Sequence, residues 1–319
     1  MMKHRIDFWN LATRIILLSQ TTVGILVNFS LMFHYLVLYY RECRLKPTDF
    51  ILLHLLAANS LFILSSGVPH IIAFWGLKQF LNDIVCEFLF YIQGFGRSVS
   101  IWTTCLLSVF QAMTISPRKS CWKDHKVKAI MHNGCSISLM WVLHMLMHFI
   151  IFVYPFIKMN SKNVTKLQDF GYCSVVKKQN ITEFLYAALV MFPEFFFSVL
   201  IAWSSGSMIV ILFKHKKKVQ HIHSTHVSRR NSPESRATQN ILALVSTFLA
   251  FYTLSSILRG CIALLYNYNW WLMNINHITS LCFPSFGPCV FMRSYSLMSR
   301  FNLAHLRKIN LSPNLVINM

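Results

Sequence analysis

Charge is scarce in this chain of 319 residues: 13% of positions are Asp, Glu, Lys or Arg, against 55% hydrophobic. A soluble domain carries about 25% charged residues, so the composition argues against a water-soluble enzyme of this length. The nine cysteines form no Cys-x-x-Cys pair, which leaves a zinc or redox site without support. The several histidine-rich boxes that an integral-membrane hydroxylase needs are missing. So are the two similar halves with matching broken helices that mark many transporters. A membrane enzyme or transporter therefore stands only as an alternative from another class.

What the chain does have is seven apolar tracts joined by short polar loops. They run roughly Ile15–Leu38, Phe50–Phe74, Ile84–Ile115, Ala129–Phe156, Phe184–Phe213, Asn240–Tyr266 and Trp270–Met292. About 20 helical residues at ~1.5 Å each cross a hydrocarbon layer of ~30 Å, so each tract suffices with some tilt. The tracts lack the period-two alternation of strands, and helices satisfy their own backbone groups in lipid. The expected fold class is an all-α membrane protein, a seven-transmembrane helix bundle forming a single domain over residues 1–319. No room remains for a second domain of about 100 residues. The first tract is too long for a signal peptide and lacks a small-residue cleavage site, so it is read as an uncleaved span.

The positive charge sets the orientation. Nineteen Lys and Arg fall on one side: Arg41, Arg44 and Lys46; Arg118, Lys119, Lys123, Lys126 and Lys128; Lys214, Lys216, Lys217, Lys218, Arg229, Arg230 and Arg236; and Arg293, Arg300, Arg307 and Lys308. The other side carries nine. The positive-inside bias then puts the amino terminus outside the cell and the carboxyl terminus in the cytoplasm of a multi-pass plasma-membrane protein. Trp75, Trp122, Trp270 and Trp271 sit near tract ends, where interfacial aromatics collect.

On the outer side, the sequons Asn163-Val-Thr and Asn180-Ile-Thr lie in the loop between the fourth and fifth tracts, where glycosylation can occur. Asn28-Phe-Ser, inside a span, and Asn310-Leu-Ser, in the tail, should stay unmodified. Cys86 and Cys173 are the two cysteines expected on the oxidising side. They can form a disulfide that pins the loop over the bundle; two free thiols are the alternative.

Ionisable groups inside the tracts are expensive, costing ~2.5–3.5 kcal/mol on insertion scales, so they should face the interior and find partners. Arg97, Glu194 and Arg259 are the clear cases. Arg97 lies roughly 16 Å beyond Cys86 along a helix, near mid-membrane. Glu194 follows Pro193, which should open the local hydrogen-bond ladder. Two readings stand side by side: these groups orient the polar end of a small ligand, or Arg97 and Glu194 form a structural ion pair between two helices. His144 and His148, at i and i+4, lack a third metal ligand and read as packing histidines bonded to neighbouring helices. The histidines at 215, 221, 223 and 226 read as a solvated loop face. The run Phe195-Phe-Phe197 reads as lipid-facing or core, with a pocket wall as the alternative. Lys214, Lys216, Lys217 and Lys218 extend the fifth tract into anionic headgroups, and with Arg236 they form a basic rim suited to a cytoplasmic partner helix. Leu297–Leu306 has the makings of a short interfacial helix.

Several segments, in order, resemble one family. His54-Leu-Leu-Ala-Ala-Asn59-Ser, Gly67-Val-Pro69 and Phe80-Leu-Asn-Asp83 look like the second helix and first outer loop of vomeronasal type-1 (pheromone) receptors. Gly96-Arg97-Ser-Val-Ser100-Ile-Trp-Thr-Thr-Cys105-Leu-Leu-Ser-Val-Phe-Gln111, ending Ile115-Ser-Pro117, is similar to that family's most recognisable stretch. Gly171-Tyr-Cys173-Ser, Ser232-Pro-Glu-Ser-Arg236-Ala-Thr-Gln239, Leu244-Val-Ser-Thr-Phe248, Tyr252-Thr-Leu-Ser255-Ser and Phe283-Pro-Ser continue the match. The chain departs where members usually carry His-Arg and it has Gln93-Gly94. It departs again where they carry a small residue and it has Trp102, and where they carry Ser-Pro-Phe and it has Gly287-Pro288-Cys289. Like the family, it has no Asp-Arg-Tyr at the end of the third helix: Gln111 stands where that arginine falls. Nor does it have Asn-Pro-x-x-Tyr in the seventh.

The resemblance implies a G protein-coupled receptor without catalysis of its own and without a cofactor. It would detect a pheromone-like small molecule, with Arg97, Glu194, Arg259 and Trp102 as the expected contacts. It would signal through an inhibitory-class (Gi/Go) heterotrimeric G protein. A bitter-taste receptor shares the scaffold, and the His54–Asn59 and Ser232–Gln239 segments argue against it.

Overall fold

The computed structural model describes residues 2–42, 47–75, 82–115, 134–158, 167–169, 174–176, 187–222, 248–262 and 271–289. Helix α1 spans Met2–Glu42, α2 Pro47–Phe74 and α3 Asp83–Ile115. Helix α4 spans Gly134–Lys158, and strands β1 (Leu167–Asp169) and β2 (Ser174–Val176) follow. A π-helical turn, Ala187–Met191, runs into α5, Phe192–Ile222. Helix α6 covers Phe248–Ile262, and α7 covers residues 271–289. The described residues therefore hold a helical stretch within each of the seven apolar tracts.

Local chemistry sets the helix ends. Nothing between Met2 and Glu42 breaks a helix, so α1 starts 13 residues ahead of the apolar tract that announced it. Pro47 opens α2 at the first helical position, where its missing N–H costs nothing, with Asp49 in the first turn against the helix dipole. Asn82 caps α3 by accepting the Val85 N–H at 3.0 Å. Pro193 has no N–H for the carbonyl four residues earlier, and the ladder before it widens into the π turn.

By length and composition alone, four of the described helices are apolar enough to cross a membrane: Trp9–Arg41, Pro47–Ala73, Ser136–Val153 and Ala188–Ile211. Phe248–Ile262 is a shorter apolar helix. Helix α3 fails that test because it is rich in polar residues, yet Gln93, Arg97, Ser98, Ser100, Thr103, Thr104 and Ser108 are all buried. It packs against α2, α4 and α5. The polar side chains of α3 are thus turned toward protein.

The polarity of the bundle is inverted relative to a water-soluble one. On α4, Leu139, Val142, Leu143, Leu146, Phe149 and Ile150 face outward, while His144 and His148 face inward. Helix α5 exposes Phe192, Phe195, Phe196, Val199 and Trp203 and buries Glu194, Ser204 and Ser205. So much apolar surface is untenable in water and is what lipid requires. The chain is a helical membrane protein.

The connection between α4 and α5 departs from an all-α expectation. β1 and β2 pair antiparallel, Leu167 opposite Val176 and Asp169 opposite Ser174, and β2 lies against α3. A connection outside the hydrocarbon still needs partners for its backbone groups, and a short ladder supplies them.

Helix packing rests on close approach and on rescued carbonyls. A Cβ on Gly96 would lie 3.0 Å from the Phe62 backbone nitrogen and 3.1 Å from the Ala58 oxygen, so α3 meets α2 backbone to backbone. Pro288 cannot donate to the Pro284 carbonyl in α7. Asn28 of α1 donates to it instead at 2.9 Å, and also to the Gly24 carbonyl at 2.8 Å. Asn28 is thus enclosed and engaged. Gln20 to Cys282 (3.1 Å) and the Trp9–Trp271 edge contact also tie α1 to α7. Apolar clusters complete the core. Tyr35, Leu52, Leu56, Leu107 and Ile137 join α1 to α4, and Ile101, Ile201, Phe248, Tyr252 and Phe283 join α3, α5, α6 and α7.

Asn28→Leu leaves the Pro284 carbonyl without its donor. It should cost about 1–3 kcal/mol, read as a lower melting temperature of the detergent-purified protein. Gly96→Leu should cost at least as much by forcing α2 and α3 apart, whereas the outward-facing Leu146→Ala should leave the melt nearly unchanged.

Candidate functional site

The interior polar groups converge on Arg97, which is 2% exposed. Its Nε donates to both carboxylate oxygens of Glu194, at 3.1 and 3.3 Å. Its Nη2 donates to Ser255 at 2.7 Å and Ser256 at 3.0 Å. Ser256 in turn donates to Glu194 Oε2 at 3.4 Å, and Arg259 Nη1 stands 4.0 Å from Glu194 Oε1. The guanidinium also lies 4.9 Å over the buried Tyr252 ring, a cation–π contact strengthened by burial. One arginine on α3 thereby holds a glutamate on α5 and three side chains on α6.

The sequence builds this arrangement locally. Tyr252, Ser255, Ser256 and Arg259 recur at helical spacing and so share one face of α6. Glu194 falls in the first turn of α5, where the helix amino terminus favours a negative charge. Ser100, one turn below Arg97, donates to Asn59 Oδ1 of α2 at 2.6 Å. Its 2.9 Å contact with Tyr252 is then a bond donated by the phenol. The network crosses α2, α3, α5 and α6. Removing one member of a buried charge pair typically costs 3–5 kcal/mol, about 3–5 times a neutral hydrogen bond.

A second polar strip faces α4. Ser98 and His148 bond at 2.9 Å. The His148 ring fills the space beside Gly94: a Cβ there would sit 2.9 Å from His148 Cε1 and Nδ1. Gln93 donates to Ser66 of α2 at 3.1 Å. Further round the bundle, His70 of α2 and His277 of α7 meet at 3.0 Å between their Nε2 atoms.

Of the expected site residues, Arg97, Glu194 and Arg259 come together. Trp102 stands apart. It is partly buried on the α4 side of α3, packed against the apolar cluster that contains Tyr35, Leu52, Leu107 and Ile137, with its ring centroid 6.5 Å from that of His144. The two α4 histidines differ: His148 is bonded as expected, whereas among the described residues His144 has no hydrogen-bond partner on either ring nitrogen and so departs from the expectation of a packing histidine bonded to a neighbouring helix. Phe195 and Phe196 face outward and Phe197 turns inward toward His144. Cys86 is buried and disulfide-bonded. Lys214 is exposed. Cys173, Asn163, Asn180, Arg236, Leu297–Leu306 and the side chains of Lys216, Lys217, Lys218 and the histidines from 215 to 226 lie outside the described residues.

Tyr252, Ser255, Ser256, Ser100 and Asn59 were not singled out as site residues from the sequence. Their signal was present as small polar groups recurring on one face of apolar tracts. Among the described residues no group of three or more His, Cys, Asp or Glu could hold a metal ion.

Comparison with known proteins agrees with this architecture. The family model described as "Vomeronasal organ pheromone receptor family" matches residues 11–304. Human "Vomeronasal type-1 receptor 4" is 46% identical over 291 residues, covering 91% of this chain and 97% of that protein. Human "Vomeronasal type-1 receptor 3" is 41% identical, covering 96% of this chain and 98% of that protein. Rat "Vomeronasal type-1 receptor 90" is 31% identical, covering 90% and 92%. These are receptors and not enzymes, and with the match running through every described helix the chain belongs to the vomeronasal type-1 receptor family of chemosensory G protein-coupled receptors.

Proposed function

We propose that the chain is a plasma-membrane receptor crossing the bilayer seven times, amino terminus outside and carboxyl terminus inside. A pheromone-like small molecule binds among the outer halves of its helices and shifts the bundle toward a conformation that activates a Gi/Go heterotrimer. The observation that carries this reading is the Arg97–Glu194 pair, which is enclosed and joins three helices at once. Two packings of α5 and α6 on α3 can differ by how this pair is shared, and a ligand that competes for Arg97, Glu194 or Arg259 biases one over the other. Trp102 forms the apolar flank.

In this reading Cys86 pairs with Cys173 and holds the outer loop over the entrance, and Asn163 and Asn180 accept glycans. On the inner side, Lys214, Lys216, Lys217, Lys218 and Arg236 rim the groove that receives the G protein. Their attraction to anionic headgroups, worth ~1 kcal/mol each, also fixes the membrane register.

The test expresses the full chain in cells with a promiscuous Gα and a calcium readout, challenged with a panel of neutral, anionic and cationic small amphiphiles. Arg97→Ala and Glu194→Ala should each cost about 3–5 kcal/mol by stranding a buried charge, seen as low surface expression. The double apolar variant Arg97→Met with Glu194→Met should recover the surface level and still lose the agonist response. A double variant that traffics and responds like the unaltered receptor would overturn the assignment. Purified receptor with a Gi or Go heterotrimer should accelerate GDP release when agonist is added. Epitope tags at the two ends, probed on intact and permeabilised cells, should be reached in the first case only at the amino terminus.

A further inference from the structure

Burial of His144 serves no visible structural bond. It is 3% exposed, and among the described residues neither ring nitrogen has a hydrogen-bond partner. A neutral imidazole always carries one N–H donor and one bare acceptor, and an apolar group of the same shape is as good or better when neither is used. The surroundings would accept such a group. The rings of Trp102 and Phe197 stand 6.5 and 6.4 Å away, tilted at 55° and 58°. They give two aromatic walls, one from α3 and one from α5, on either side of the His144 ring of α4.

The position is also adjacent to the ion-paired centre. Phe197, whose ring faces His144, lies one turn beyond Glu194 on α5. His148, one turn above, bonds Ser98 through Nε2, whereas among the described residues both ring nitrogens of His144, and Trp141 Nε1 one turn away on the same face of α4, have no hydrogen-bond partner.

We infer that His144 is a further ligand-contact residue. Its ring N–H donates to the carbonyl, ether or hydroxyl oxygen of a small neutral molecule whose apolar body lies between Trp102 and Phe197. This rests on the ligand-binding reading above and deepens it. The Arg97–Glu194 pair supplies the charged end of the site, and His144 supplies a directional, uncharged contact about one turn deeper. The ligand class it selects is an apolar or aromatic molecule with an oxygen acceptor, over its hydrocarbon analogue.

Two arms test this on the full-length receptor. In the first, His144→Cys is exposed to methanethiosulfonate ethylammonium added outside intact cells. Labelling at about ten times the rate of the unaltered receptor's own cysteines is expected, because a ligand path must reach this residue; labelling no faster than that background overturns the inference. In the second, the agonists found in the amphiphile panel are titrated on His144→Leu and His144→Asn. His144→Leu should reach the surface and melt no lower than the unaltered receptor, with the half-maximal concentration raised about tenfold, as the loss of one hydrogen bond predicts. His144→Asn, which keeps an N–H donor, should recover most of the potency. An unchanged titration for His144→Leu overturns the inference. If Arg97 and Glu194 variants still alter the response in that case, the failure is confined to His144; if they do not, the ligand-site reading fails with it.

Discussion

A guanidinium enclosed among helices cannot turn to water for its hydrogen bonds, and that requirement organises this bundle. Arg97 offers donors in a rigid planar fork. Glu194 takes Nε and the two serines of α6 take Nη2. Each acceptor sits on a different helix from Arg97, so satisfying one residue draws α5 and α6 onto α3. Helix α3 accordingly packs at the centre, and its neighbours are arranged by which of its polar groups they meet: α2 through Asn59 and Ser66, α4 through His148, α6 through Tyr252.

Hydrophobic burial cannot direct such an assembly, because lipid tails are as apolar as Leu or Phe. What selects one arrangement is close backbone contact and polar satisfaction. Gly96 permits the first. Asn28 shows the second, since α7 carries a carbonyl that Pro288 leaves bare and α1 carries the amide that repairs it. Prolines at 69, 193, 284 and 288 sit inside helices whose ladders they interrupt, which is tolerable in a membrane only where protein supplies the missing partner. The carbonyl freed by Pro288 is tied to α1 through Asn28, and the π turn before Pro193 shapes the start of α5.

Run length and hydropathy made the apolar helices legible, and the cost of charge in hydrocarbon made Arg97 and Glu194 legible as partners. Those two inferences needed only one-dimensional information: how far a helix reaches and which residues hydrocarbon rejects. Rotation about the helix axis was harder. Trp102 follows Arg97 by five residues, about 140° around α3 at 3.6 residues per turn, and so faces α4 while Arg97 faces α5 and α6. His144 and His148 look equivalent in the sequence and differ because Ser98 lies beside only one of them. The amino-terminal extension of α1 and the β1–β2 pair escaped a reading based on apolar length, since neither lies in an apolar tract.

Gly94 shows how a departure from a family pattern is absorbed. The resemblance places an arginine there in most members, and this chain has no side chain at all. The space is not left open: the His148 ring stands against the glycine and is fixed by Ser98. A long cation has in effect been exchanged for a neutral ring contributed by the opposite helix. Neighbouring Gln93 is uncharged and held by Ser66, so the α3–α4 side of the interior is polar without bearing charge. The α3–α5–α6 side holds Arg97, Glu194 and Arg259. Two faces of one helix thus present different chemistry at nearly the same depth. Under the proposed binding reading, a ligand spanning both would meet a charged network on one flank and hydrogen-bonding rings on the other. Under that reading, a chain with a cation at position 94 would present a different balance between those flanks, because the His148 ring could not occupy the same space.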